Sequence, residues 1–268
     1  MPALRIGLMA LFCVLHMAWA CAQGLDLVNI PAGTAQLGDP KGDKNEVVRK
    51  VKVAAFRLMR REVTNLQFAE FVADTGYTTT VEASGKGNVW NKRWRLIGGA
   101  DWRHPHGPGS HLHGLGLHPV VQISARDAEA FCSHFGLRLP SEVEWEYAAR
   151  GPEGLRYPWG NSLTKSLLPK VANAGTWACC APSEADGHRR TAPVGSFRQG
   201  RSPFGLDDMI GNVWEWTSSP FPGDPKKRSI RGGGWGNNPY CLRAAYRHAN
   251  PPEIGLDMVG FRCAGDLP

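Results

Sequence analysis

The 268-residue chain has 31 Lys and Arg against 24 Asp and Glu, a formal net charge of +7, with 42% hydrophobic and 21% charged residues. This is an ordinary globular composition, long enough for one large domain or two small ones. The cations are scattered, as at Arg60, Arg61, Arg189, Arg190, Lys226, Lys227 and Arg228; with no long basic run and no nucleic-acid motif, nucleic acid is excluded as a partner.

Residues 1–22 read as a signal peptide. Arg5 is the positive start, 6–15 is the apolar run, and Ala18-Trp19-Ala20 or Ala20-Cys21-Ala22 offers the cut. The run is too short to span a bilayer, and no later stretch is long and apolar enough to be transmembrane. Residues 23–268 are expected as one domain, periplasmic or secreted. Lipid anchoring through Cys21 is the lesser alternative, because Ala18 and Trp19 make a poor lipobox. Losing Arg5 leaves 30 basic minus 24 acidic residues, or +6. Export implies an oxidising compartment. Cys132, Cys179, Cys180, Cys241 and Cys263 remain, an odd number beyond Cys21, so one cysteine does something other than pair within the chain.

Thirty-two Gly and 20 Pro argue for many turns, and ten Trp for aromatic anchors. Residues 26–30 and 34–37 read as short strands around Pro31-Ala32-Gly33, and 47–60 as β-rich. A helix begins at Thr64, with Gln67 completing a capping box, and stops at Gly76. Residues 82–116 read as irregular, anchored on Trp90, Trp94 and Trp102. This stretch and its end carry His104, His106, His111, His113 and His118. Close histidines suggest a metal, but Pro105, Gly107, Pro108 and Gly109 mark a loop that fixes no ligand spacing, so adventitious binding is the expectation.

A second helix runs from Ser124 and Asp127 to Gly136, and a third from Ser141 and Glu144 to Gly151. Glu142 and Glu146 on the third read as a solvated face. Arg156 to Asn161 is a tight aromatic turn. The stretch from Gly211 to Cys263 then concentrates Trp214, Trp216 and Trp235 among glycines that include Gly211, Gly232, Gly233, Gly234 and Gly260; glycine beside tryptophan allows close backbone approach to an aromatic face. Trp214 and Trp216 alternate with Val213, Glu215 and Thr217, as in a strand with one buried face. Among known chemistries, G-x-S-x-G, the Walker loop, a helix-opening G-x-G-x-x-G and Cys-x-x-Cys are all missing.

GNVWEW, RGGGW and GFRC, preceded in order by LVNIPAG, REVTNLQFAEFVADTGY, DWRHPHGPGS, HPVVQIS, RLPSEVEWEYAARG and YPWGN, resemble the formylglycine-generating enzyme family, the sulfatase-modifying factors. The resemblance covers about residues 26–263. It implies an α+β fold of irregular C-type-lectin-like type, with small antiparallel sheets and two or three helices. It implies a disulfide between Cys132 and Cys263. It also implies two calcium sites: Asn173 and Asp186 with the carbonyls of Ala174 and His188, and Asp208 and Glu215 with the carbonyls of Gly211 and Val213. Such oxygens suit calcium.

The family's catalytic pattern is not intact. Its active-site serine corresponds to Gly234, and its first copper cysteine falls at Asn237-Asn238. Cys241 matches the second cysteine only after a one-residue shortening. Thiolates suit Cu(I), and one alone is a poor site, so copper is a weak expectation. Cys241 has three readings: a disulfide to Cys179 or Cys180, a metal or redox role with one of them, or a buried thiol. Trp235, Tyr240, Arg243 and Trp102 are expected to line the groove. The functional expectation is an exported maturation factor, of O2-dependent oxidoreductase type if an enzyme, that modifies an exported protein or secreted metabolite. The alternative is a non-catalytic module that binds a peptide or glycan.

Overall fold

The computed structural model describes residues 24–177 and 181–267. The stretch read as a signal peptide, Cys21, Cys179 and Cys180 lie outside the described residues. Among those described, no helix is long and apolar enough to cross a membrane.

The chain opens with β1 (Leu27–Ile30), β2 (Gly33–Leu37), β3 (Arg49–Val53) and β4 (Phe56–Met59). β2 and β3 pair with each other. β1 pairs antiparallel with β4, whose other edge takes the last strand, β11 (Ala264–Asp266), with Ala264 opposite Leu58. The two ends of the chain thus share one sheet.

The three main helices are α1 (Asn65–Thr75), α3 (Ala125–His134) and α4 (Glu142–Arg150), with a five-residue α2 (Thr80–Ser84) between the first two. Each of the four starts with a reciprocal capping box, at Thr64/Gln67, Thr79/Glu82, Ser124/Asp127 and Ser141/Glu144. The side-chain oxygen satisfies an otherwise orphaned amide of the first turn. Residues 82–116, expected as irregular, contain the end of α2 and a hairpin, β5 (Lys86–Trp90) and β6 (Trp94–Gly98). Its alternation is hidden because β6 keeps Trp94 and Leu96 exposed (42% and 54%), so no buried face marks it as a strand.

Beyond α5 (Leu168–Val171) and a 3-10 turn at Arg198–Gly200 comes a four-stranded sheet, ordered β10, β7, β8, β9. β7 (Trp214–Phe221) and β8 (Asp224–Arg231) are antiparallel, β9 is Arg247–Asn250, and β10 (Val259–Gly260) runs parallel to β7. Trp214, Glu215, Trp216 and Thr217 are all buried. Both faces of this strand are covered, where the alternation suggests one. Trp216 donates to the Ile123 carbonyl at 2.8 Å, and Thr217 to that of Ser229 at 2.8 Å. Glu215 has its own partners, described below.

One core gathers Phe68, Phe131, Phe261 and Trp102 around the Cys132–Cys263 disulfide (Cα–Cα 5.6 Å). Phe131 and Phe261 meet edge to face at 5.3 Å. The cross-link spans 131 residues, a loop for which chain-entropy arguments give about 5 kcal/mol. A second core packs Trp145 and Ala148 of α4 against Ile30, Phe56 and Leu58.

Glu142 and Glu146 are not a solvated face. They are 5% and 2% exposed. Glu146 bonds Arg231 at 2.6 Å and Arg150 at 2.6 Å; Glu142 bonds Arg247 at 2.8 Å. Arg150 lies on α4 itself, but Arg231 and Arg247 come from distant strands of the C-terminal sheet, so α4 alone gave no sign of them.

Candidate functional site

The C-terminal sheet and the β5–β6 hairpin enclose a groove of about 280 Å³. The hairpin supplies Trp90 and Trp94, with ring centroids 5.3 Å apart. Strand β7 supplies Trp214, which meets Tyr246 at 6.0 Å and His248 at 5.7 Å. Asn237, Cys241 and Met258 complete the wall. Burial lowers the His248 pKa, which favours neutral imidazole. Burial, followed by the charge of Cys241 and a hydrogen bond to it, pushes the Tyr246 phenol up. Tyr246 therefore stays protonated and sits on the Cys241 sulfur.

The residues expected to line the groove are placed differently. Trp235 is 1% exposed and donates to the Asp257 carbonyl at 3.2 Å, with Arg190 over its ring at 5.0 Å. Trp102 lies in the first core, edge-on to Phe68 at 5.2 Å. Arg243 is 1% exposed and bonds Glu46 at 2.6 and 2.8 Å and Asp39 at 3.2 Å; a buried guanidinium needs carboxylates, and these come from the N-terminal loop. Tyr240 is 49% exposed, edge-on to Tyr246 at 5.7 Å, with its hydroxyl on Asp43. The same loop accepts Arg247 at the Asn45 carbonyl, 2.9 Å away. Residues 39–46 thus strap the segment that carries Cys241. Sequence reasoning missed Trp90, Trp94, Tyr246, His248 and Met258; the usable signal was the pair of tryptophans flanking the polar turn at 91–93.

A two-thiolate copper site does not fit this groove. Asn237 stands beside Cys241, and its Oδ1 accepts the Gly234 amide at 2.9 Å. A Cβ on Gly234 would lie 2.5 Å from Met258 Cγ, so Met258 fills the space a serine would need. An amide oxygen is a poor ligand for soft Cu(I).

The oxygen-rich loops lie beneath. Asn173 is 1% exposed, and its Oδ1 has no hydrogen-bond partner. Asp186 accepts the amides of Ala174 at 3.0 Å and His188 at 2.9 Å; burial raises its pKa. This donor set suits a hard cation. The second loop is curled by two non-glycine residues with left-handed backbone, Asp208 (φ 54°) and Asn212 (φ 58°). Glu215, expected as a ligand, is already engaged: Arg262 reaches its two oxygens at 2.7 Å each, and Trp145 donates at 2.8 Å. The open oxygen belongs to Glu62, whose Oε2 has no partner. Burial lifts Glu62 well above the usual carboxylate range and Asp208 to about 6.

Asn212 ties the two loops together. It accepts Asn173 Nδ2 at 3.1 Å, donates to Glu62 at 3.0 Å, and its carbonyl receives the Trp235 amide at 2.8 Å. Neither Glu62 nor Asn212 was singled out from the sequence. The histidines do not converge: His106 faces Asp257 at 3.4 Å, His118 bonds Thr191 at 3.0 Å, and the His111 and His113 rings are 6.2 Å apart.

Comparison with known proteins places this architecture. A formylglycine-generating enzyme of Streptomyces coelicolor is 35% identical over 288 aligned positions, covering 89% of this chain and 88% of the relative. A Bos taurus protein named inactive C-alpha-formylglycine-generating enzyme 2 is 36% identical, covering 90% and 88%. The solved structure of PvdO from Pseudomonas aeruginosa superposes with a TM-score of 0.70 at 25% identity, covering 90% of this chain and 94% of that one. The fold is thus the irregular α+β, C-type-lectin-like type. A sulfatase-modifying factor enzyme 1-like domain matches residues 17–267, and the chain belongs to that family of formylglycine-generating enzymes and their relatives.

Proposed function

We propose that this chain is an exported maturation factor of its family. It holds a segment of an exported protein, or a secreted metabolite, in the aromatic groove and modifies it oxidatively beside Cys241, with dissolved O2 as the electron acceptor. The observation that carries this reading is the joint placement of Cys241 and Tyr246 in the wall of that groove. Trp90, Trp94 and Trp214 would exclude water and orient the ligand. Tyr246, a protonated donor, would hold the sulfur in place. No step is assigned to copper, because the residues do not fit it. In the same reading calcium is structural. Asn173 and Asp186 would hold one ion, and Asp208 with Glu62 a second; each would supply positive charge that stiffens its loop.

The test is aerobic incubation of protein exported through its own leader with a library of cysteine-containing peptides and reduced periplasmic extract. Aldehyde capture and mass spectrometry would follow. A product made by wild type and lost in Cys241→Ser supports the reading; no product under any condition refutes catalysis. A second reading, a non-catalytic binding module, is favoured by Asn237 and Gly234 standing where the catalytic pattern is expected. Ligand retention without turnover would establish it.

A further inference from the structure

A second pocket of about 290 Å³ adjoins the groove and shares Trp90 with it. Its lining differs in kind. Among the described residues, the groove wall has no Lys, Arg, Asp or Glu. The second pocket is lined by Lys92, Arg189 and Arg190 with Trp90 and Asn91, and by no carboxylate among the described residues. Trp90 therefore separates an apolar compartment from a cationic one.

These cations are not equally committed. Arg190 bonds Asp257 at 2.6 Å and the Trp90 carbonyl at 3.4 Å, so its charge is largely used. Arg189 pairs with Glu184 at 3.2 Å, with side chains 73% and 67% exposed; such a surface pair holds weakly and can exchange. Lys92 takes part in no ion pair among the described residues. It sits in the three-residue turn between Trp90 and Trp94, with φ of 59°. Glycine or asparagine adopts that backbone at less strain. A lysine there is accounted for if its charge is used. Arg93 and Arg95 follow it on the exposed hairpin, also without ion pairs among the described residues.

We infer that the ligand of this groove is an extended peptide that presents an apolar side chain to the Trp90–Trp214 compartment and, a short step along, an aspartate or glutamate to Lys92 and Arg189. Two compartments of side-chain size on either side of one tryptophan suit neighbouring side chains of an extended chain better than one compact small molecule. The complement of a pocket whose Lys92 charge is unused and whose Arg189 pair is exchangeable is a carboxylate. This inference rests on the groove being a binding site, which both readings of the function share; it does not depend on catalysis.

The probe is an array of immobilised peptides with one Phe or Leu and, one to four positions away, Asp, Asn or Lys. The array is overlaid with the labelled full-length exported protein. At the best spacing, Asp peptides should bind about tenfold more tightly than Asn peptides, with Lys peptides weakest. Added salt should reduce that margin. Lys92→Asn suits the left-handed turn and should keep the thermal stability of wild type while bringing Asp and Asn peptides to about equal binding. Trp94→Ala should weaken all peptides together. If Asp, Asn and Lys peptides bind alike and all weaken in Trp94→Ala, the acidic preference is overturned and the groove reading stands. An array without binding, or with binding indifferent to Trp94→Ala, overturns the groove reading as well.

Discussion

Two buried ion clusters lie on either side of Trp145, and they are built to opposite rules. In one, Glu142 and Glu146 meet Arg150, Arg231 and Arg247, and every carboxylate has a guanidinium at 2.6–2.8 Å. In the other, Glu62, Asp208 and Glu215 surround Arg262 alone, and one Glu62 oxygen has no partner. The first is a cross-link between α4 and the C-terminal sheet in which each carboxylate is paired, while Nε of Arg231 and of Arg247 has no hydrogen bond. The second holds three carboxylates against one cation, and burial, with the neighbouring carboxylate charges added to it, pushes Glu62 and Asp208 toward the protonated state. Protons balance it in the absence of other charge; on the proposed calcium reading, a divalent cation would favour the ionised acids instead.

The disulfide sets the scale for breaking that contrast. Cys132→Ala with Cys263→Ala should cost about 5 kcal/mol in urea unfolding. Glu146→Gln should cost about 3–5 kcal/mol, because it leaves Arg150 buried without a charge partner and Arg231 with only the longer contact to Glu142 at 3.4 Å; a loss under 1 kcal/mol would show that this cluster is not the cross-link described.

Asp208→Asn should act in the opposite direction. The folded Asp208 titrates near 6 against an ordinary 3.8. Between those values the folded state binds more protons than the unfolded state. Metal-free stability therefore falls as pH rises through that window, by roughly 3 kcal/mol when complete. The variant should lack that fall and be the more stable protein at pH 7 without metal. Calcium should raise the wild-type Tm more at pH 7 than at pH 5, since protons compete for the same oxygens, and should raise that of the variant less. A variant that loses stability at pH 7 in chelator would put the charge excess in doubt. The smallest effect belongs to Cys241→Ser, expected within about 1 kcal/mol of wild type in stability while losing any oxidised product.

Much of this fold was legible because its signals are local. Thr64/Gln67, Ser124/Asp127 and Ser141/Glu144 announce three helices from side chains three residues apart, and all three start there. The Cys132–Cys263 pairing was available only through the family resemblance, since spacing alone cannot choose partners. The groove was less legible because its wall is assembled from five separated stretches. Nothing near Trp90 in sequence indicates Trp214 or His248. Arg243 and Trp235 looked like groove residues by adjacency to Cys241, yet the tight turns around them direct both into the interior. The roles of Glu142 and Glu146 were hidden for the same reason: helical spacing reports a face, and burial depends on what packs there.

The strap at residues 39–46 has a consequence for how the molecule comes into being. Arg243 and Arg247 lie about 200 positions beyond Glu46 and Asn45, and β11 reaches back from the end of the chain to β4. A chain that emerges from its amino terminus would carry Glu46 and the free edge of β4 through almost its whole synthesis or passage before their partners arrive. Such non-local closure is slow, and it exposes unpaired edges meanwhile. Loss of only the last few residues from Cys263 onward would remove the staple and β11 together, leaving the amino-terminal sheet with no edge to complete it.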